Sequence, residues 1–160
     1  MTHFIALHGY RQRQSGVGMI EVLIAVLVVS IGFLGMAALQ AKALSTNNSA
    51  MARSMATVAS YSILDAMRTD LTAAEAGAYN TTVTADACPD AGSSLSSVQI
   101  HQWCGQLGFA LGATSKTIGT IDCGGTGDCT ITIQFDDSHA GTINGSVGSS
   151  AQKVVTKAGL

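Results

Sequence analysis

Hydrophobic positions divide the chain into three regimes. Residues 1–16 are mostly polar, with Arg11 and Arg13 near their end and one short apolar run from Phe4 to Leu7. That run is too short for the roughly 7–15-residue apolar region of a secretory signal. Residues 22–39 then form an unbroken stretch of 18 residues without a charge. At ~1.5 Å per residue they span about 27 Å of helix, close to the ~30 Å hydrocarbon core of a bilayer. The pattern predicts one membrane-spanning helix. Beyond it no proline occurs before Pro89, and Ala, Leu, Met, Gln, Lys and Arg are frequent. All favour helix, so one helix is expected from about residue 17 to about 75, stopping near Gly77. Gly32 and Gly35 weaken it locally by about 0.5–1 kcal/mol each relative to alanine. They mark either a bend or a close helix contact.

The apolar face of this helix changes side along its length. Leu44, Met51, Met55 and Val58 line up at helical spacing. Leu64, Met67 and Leu71 line up as well, with Ser60 and Ile63 beside them, but on a nearly opposite face. Such a helix needs covering from two directions: by neighbouring molecules on one face and by the chain's own C-terminal part on the other.

Residues 77–97, rich in Ala, Thr, Ser, Gly and Asp, are expected to form a connecting loop. Ile100, Trp103, Cys104, Leu107 and Leu111 follow helical spacing, which predicts a short amphipathic helix beginning near Ser96 or Ser97. Residues 117–123 and 129–135 are β-rich and flank Gly124-Gly125-Thr126-Gly127-Asp128, a hairpin signal. A further strand is expected at 152–156, and a mobile Gly/Ser-rich surface loop at 137–150. The expected fold class is α+β: a long N-terminal membrane-spanning helix packed against a small domain with a short helix and an antiparallel sheet. The expected divisions are 1–16, 17–76 (spanning segment 22–39) and 77–160.

Composition narrows the classes. The 160 residues allow one compact domain and one long helix. Formal net charge is −2 and the basic residues are scattered singly, so no nucleic-acid partner is expected. All four cysteines fall after residue 87. An even number in a short chain with a membrane-targeting N-terminus favours disulfides in an oxidising compartment. Three pairings are open; Cys88–Cys104 and Cys123–Cys129 are preferred because each closes a short loop.

Glu21 does not suit a plain anchor. A carboxylate at mid-bilayer costs about 2.5–3.5 kcal/mol on insertion scales. Either it reaches interfacial water, or a cation from another molecule meets it inside an assembly.

The run Gly16-Val17-Gly18-Met19-Ile20-Glu21, followed by an apolar helix, resembles the processing site of type IV pilins and the related secretion pseudopilins. The resemblance implies that prepilin peptidase cuts after Gly16 and methylates Val17 as the new N-terminus. It also implies that Glu21, the fifth mature residue, meets the N-terminal amine of a neighbouring subunit. Two charges costly apart in hydrocarbon become tolerable as a hydrogen-bonded pair. Val17 departs from the family's usual phenylalanine. The segments Ser30-Ile31-Gly32-Phe33-Leu34-Gly35-Met36-Ala37-Ala38-Leu39-Gln40 and Tyr61-Ser62-Ile63-Leu64-Asp65-Ala66-Met67-Arg68 are similar to minor pilins of the PilV type, over roughly residues 11–75. Implied partners are other minor and major pilins, prepilin peptidase, the inner-membrane pilus assembly machinery and membrane lipid. The implied location is the inner membrane with the C-terminal domain in the periplasm, and then the pilus. Charge alone leaves orientation open, since Arg11 and Arg13 before the span are balanced by Lys42 and Arg53 after it.

Competing chemistry is thin. His101 and Cys104 stand three apart on a helix and, with Cys123 and Cys129, could ligate zinc or form a nucleophile pair. The spacing is not that of paired zinc cysteines. Asp122, Asp128, Asp136 and Asp137 could bind Ca²⁺ but lack EF-hand spacing and suit solvated turns. The expectation is a structural protein with no catalytic residue, metal or cofactor. The alternatives are a minor pseudopilin of a type II secretion system and a membrane-anchored periplasmic thiol or metal enzyme.

Overall fold

A computed structural model describes residue 16, residues 18–138 and residues 148–160. The leader expected before Gly16, Val17 itself and most of the expected 137–150 loop lie outside the described residues. The chain divides into two compact units, Met1–Gln40 and Ala41–Leu160. In the first, the described residues are Gly16, Gly18 and helix α1 from Met19 onward, all of them exposed. The Ser30 hydroxyl, within its apolar stretch, donates to the Val26 carbonyl at 2.7 Å, so the polar group of that side chain is satisfied within the helix.

The second unit contains the rest of α1 (Met19–Thr69), α2 (Leu71–Glu75), β1 (Thr81–Thr84), α3 (Leu95–Leu111), β2 (Ile118–Cys123), β3 (Asp128–Phe135) and β4 (Gln152–Gly159). The four strands form one antiparallel sheet in the order β1-β2-β3-β4. The architecture is α+β, a long apolar helix followed by a small domain with a short helix and an antiparallel sheet.

Three elements differ from the pattern-based expectation. The helix to residue 75 is broken: α1 stops at Thr69, because Asp70 leaves helical geometry (φ −132°, ψ 50°) and its carboxylate accepts from the Tyr79 hydroxyl at 3.1 Å. Leu71, expected to continue the Leu64–Met67 face, is thereby turned outward and half exposed. The short α2 then ends where expected. Gly77 takes φ +79°, while Ala78 N–H reaches Ala73 O and Gly77 N–H reaches Ala74 O, the paired bonds of a Schellman stop. The stretch 77–97 is not all loop, since it holds β1. Asn80 extends that strand with its side chain, accepting from Cys123 N–H at 2.8 Å and donating to Cys123 O at 3.0 Å. Finally, β4 runs on to Gly159, three residues beyond the expected end.

The core lies between α1, α3 and one face of the sheet. Strand alternation supplies Ile131, Ile133 and Phe135 from β3 and Ile121 from β2. The helix α1 contributes small residues first (Ser49, Ala56, Ala59, Ser60) and larger ones later (Ile63, Leu64, Met67). Small side chains allow close approach, and Trp103 of α3 uses it: its indole N–H donates to Ala59 O at 3.0 Å. Ser94 caps α3, its hydroxyl accepting from Ser97 N–H at 3.2 Å. Gly119 of β2 sits beneath Trp103 and Leu107, and a Cβ there would lie 2.5 Å and 2.6 Å from their side chains. Glycine at this position is what lets α3 lie on the sheet.

Candidate assembly site

The N-terminal end of α1 begins with Gly18, whose carbonyl accepts from Glu21 N–H at 2.9 Å and Val22 N–H at 3.4 Å. Glu21 therefore stands in the first helical turn, where the unpaired N–H groups favour a negative charge. Its side chain is exposed, as is Gly16. The helix is long and apolar enough to cross a membrane, and the chain covers none of its most apolar stretch.

Farther along, within the second unit, α1 has two faces of opposite fate. The Ser60–Ile63–Leu64–Met67 side is buried in the chain's own core. Leu44, Met51, Met55 and Val58 remain uncovered, from 37% exposure at Met55 to 65% at Leu44. Both apolar rows are thus present, one used internally and one left open.

The turn after β3 is pinned to α1. Ser49 donates to Asp137 at 2.6 Å, and Arg53 stands 3.6 Å from the same carboxylate oxygen. Asp137, taken as a solvated turn residue in the sequence, is buried; its neighbour Asp136 pairs instead with Lys116. The Lys116 ammonium, then the Ser138 hydrogen bonds, hold the Asp136 carboxyl below the usual carboxylate range. Nothing in the sequence pattern marks Asp137 as different from Asp136, because its partner Ser49 lies far back in the chain.

The cysteines are joined as Cys88–Cys104 and Cys123–Cys129. The first fastens the loop after β1 to the buried face of α3. The second links directly opposed residues of β2 and β3, beside Met67, whose sulfur lies 3.8 Å from that of Cys123. His101 Nδ1 lies 2.8 Å from Pro89 O and donates to it. Among the described residues no cysteine is free, and no three His, Cys, Asp or Glu side chains cluster as metal ligands would. Asp122 and Asp128 are exposed, the latter accepting from Thr126 at 3.2 Å. A cavity of about 220 Å³ between α1 and α3 is lined by Ser62, Ala66 and the carboxamides of Gln99, Gln102 and Gln106. No acid, base or thiol lines it. Among the described residues the features that stand out are the uncovered apolar faces of α1 and the run around Gly16 and Glu21 that leads into it.

The family model described as the prokaryotic N-terminal methylation motif matches residues 11–37. That match takes in Gly16, Glu21 and most of the apolar stretch. It supports a type IV pilin-like or pseudopilin-like precursor, processed by prepilin peptidase and assembling with pilus components, and it suggests a structural protein. The motif and the apolar helix together fit membrane anchoring. No curated protein and no solved structure matches the chain.

Proposed function

We propose that the chain is a minor pilin, which primes or joins a type IV pilus after prepilin peptidase removes residues 1–16. The observation that carries this reading is the methylation motif leading into a helix whose most apolar stretch stays uncovered. In this reading Gly16 precedes the scissile bond and Val17 becomes the methylated N-terminus. The segment 17–76 carries the assembly helix α1, with 22–39 in the membrane, and 77–160 form a disulfide-bonded domain in the periplasm. Glu21 pairs with the terminal amine of a neighbouring subunit, which sets the register of addition. Other minor and major pilins then cover the open faces of the helix.

Glu21→Ala removes the acid without touching the apolar span. The variant should fractionate with membranes as the parent does, yet be depleted from the pilus fraction. Undiminished incorporation would remove Glu21 from the account. Deleting the gene separates pilus from secretion: loss of pili and twitching motility supports the minor pilin. Loss of secreted enzymes with pili intact would instead identify a minor pseudopilin of a type II secretion system, which shares the motif and the build.

A further inference from the structure

Within the second unit, α1 and α3 do not close fully against each other. The cleft of about 220 Å³ between them combines an apolar base with a neutral polar rim. Ile63 and Trp103 supply the base and are 1% and 3% exposed. The indole N–H is already bonded to Ala59 O, so the ring meets the cleft as apolar surface. The rim carries Ser62 from α1 and three glutamines from α3, Gln99, Gln102 and Gln106. Their spacing of i, i+3 and i+7 sets the glutamines in one stripe of the helix.

Most of these polar groups are not used by the fold. Ser60 returns its hydroxyl to Ala56 O at 3.0 Å, a common arrangement for a helical serine. Among the described residues the Ser62 hydroxyl and the carboxamides of Gln102 and Gln106 bond to no other protein group. Gln99 is engaged on one side only, by the hydroxyl of the fully buried Tyr79. That contact fixes its side chain and leaves the other half of its carboxamide for the cleft.

The lining selects its ligand by what it lacks. No charged side chain and no histidine is among the described residues that line it, so a phosphate, carboxylate or ammonium group would lose water there without gaining a counter-ion. A wholly apolar ligand would strand the amides of the rim. A neutral molecule with an apolar face and hydroxyl groups at its edge satisfies both walls. Each carboxamide offers donors and an acceptor in one plane, and neighbouring hydroxyls, each both donor and acceptor, can engage the two ends together. Gln102 and Gln106 stand about one turn apart, ~5.4 Å along the axis, comparable with the breadth of a six-membered sugar ring. The volume falls below the ~300–1,000 Å³ of pockets for drug-sized ligands, which leaves room for one ring and not a chain.

We propose that the α1–α3 cleft binds a single neutral pyranose unit of a glycan. Ser62, Gln99, Gln102 and Gln106 bond its hydroxyls, and its C–H face lies against Ile63 and Trp103. Neutral hydrogen bonds exchanged against water contribute little net energy each, so affinity for one ring falls in the millimolar range.

Trp103 is the chain's single tryptophan, and its fluorescence therefore reads the cleft directly. The full-length protein is held in dodecylphosphocholine micelles, since glucoside and maltoside detergents would themselves present sugar. Titration with methyl β-glucoside, methyl β-galactoside and N-acetylglucosamine should give a saturable change in emission for at least one of them. Gln102→Ala/Gln106→Ala changes two residues outside the core. It should weaken that response at least about tenfold, as expected for two lost hydrogen bonds, while circular dichroism and melting temperature stay as in the parent. Glycerol and triglycine at matched concentration report a solvent effect and a peptide ligand. No saturable response to any of the three sugars, a change that glycerol reproduces, saturation by triglycine alone, or a sugar response unaltered in the double variant would each overturn the site. The readout does not depend on filament incorporation, so failure here leaves the minor-pilin reading standing, and failure of that reading leaves the cleft to be judged by this titration.

Discussion

At the scale of single residues, two positions hold the small domain together in ways that can be tested separately. Gly119 is the contact point between sheet and α3. A methyl group there would overlap Trp103 and Leu107, both buried, with the indole already fixed by Ala59 O. Gly119→Ala should therefore cost about 1–3 kcal/mol, the usual range for overpacking a core, seen as a lowered melting temperature. An unchanged melting temperature would mean that the helix shifts freely on the sheet. Tyr79 is fully buried, with its hydroxyl between Asp70 and Gln99. Burial first, and then the Asp70 carboxylate, push its phenol from 10.0 up to about 12. The folded state holds the neutral phenol, so its contribution is complete below about pH 10 and is lost as pH rises toward about 12. The amount is about 3 kcal/mol at ~1.4 kcal/mol per unit. Denaturant titrations across that window should show a steeper loss of stability for the parent than for Tyr79→Phe. Parallel curves would contradict the burial argument.

At the scale of elements, the two disulfides do different work. Cys88–Cys104 spans a sequence separation of 16 and ties the loop after β1 to α3. Removing it by Cys88→Ala/Cys104→Ala should lower stability by about 3 kcal/mol from loop entropy. Cys123–Cys129 closes a hairpin that ladder bonds on both sides already hold, so its double alanine variant should lose less. Equal losses in chemical denaturation would show the hairpin to be the weaker element. Periodicity made α3, the β2–β3 hairpin and both apolar faces of α1 legible, because each rests on neighbours in sequence. The misses have one common cause. The break at Asp70 depends on Tyr79, and the burial of Asp137 depends on Ser49. Strand β1 depends on pairing with β2 at Thr81–Ile121 through Thr84–Ile118. A Thr-rich run reads as loop until its partner is known. Of the candidate site, the motif around Gly16 and Glu21 is local and could be read directly. The cysteine spacing left three pairings open until the fold brought Cys88 to α3 and set Cys123 opposite Cys129.

At the scale of the whole molecule, the distribution of polarity in a chain of net charge −2 fits membrane anchoring. Charges are absent from residues 22–39, where lipid is the expected environment, and concentrated in the second unit, where ion pairs such as Lys116–Asp136 are exposed to water. One acid, Glu21, stands at the edge of the apolar stretch, in the first turn of a helix whose most apolar part the chain leaves uncovered. An exposed apolar helix in an otherwise well-packed protein is stable only where something else covers it. In the minor-pilin reading proposed above, lipid covers it before assembly and neighbouring helices do so afterwards. That reading depends on processing, since in it Val17 becomes the terminal amine that pairs with Glu21. The most direct measurement is therefore intact mass together with N-terminal sequencing of the protein extracted from membranes. The account predicts a chain that starts at Val17 and bears one methyl group on its terminal nitrogen. A native chain that retains residues 1–16, or one trimmed after residue 39, would contradict it.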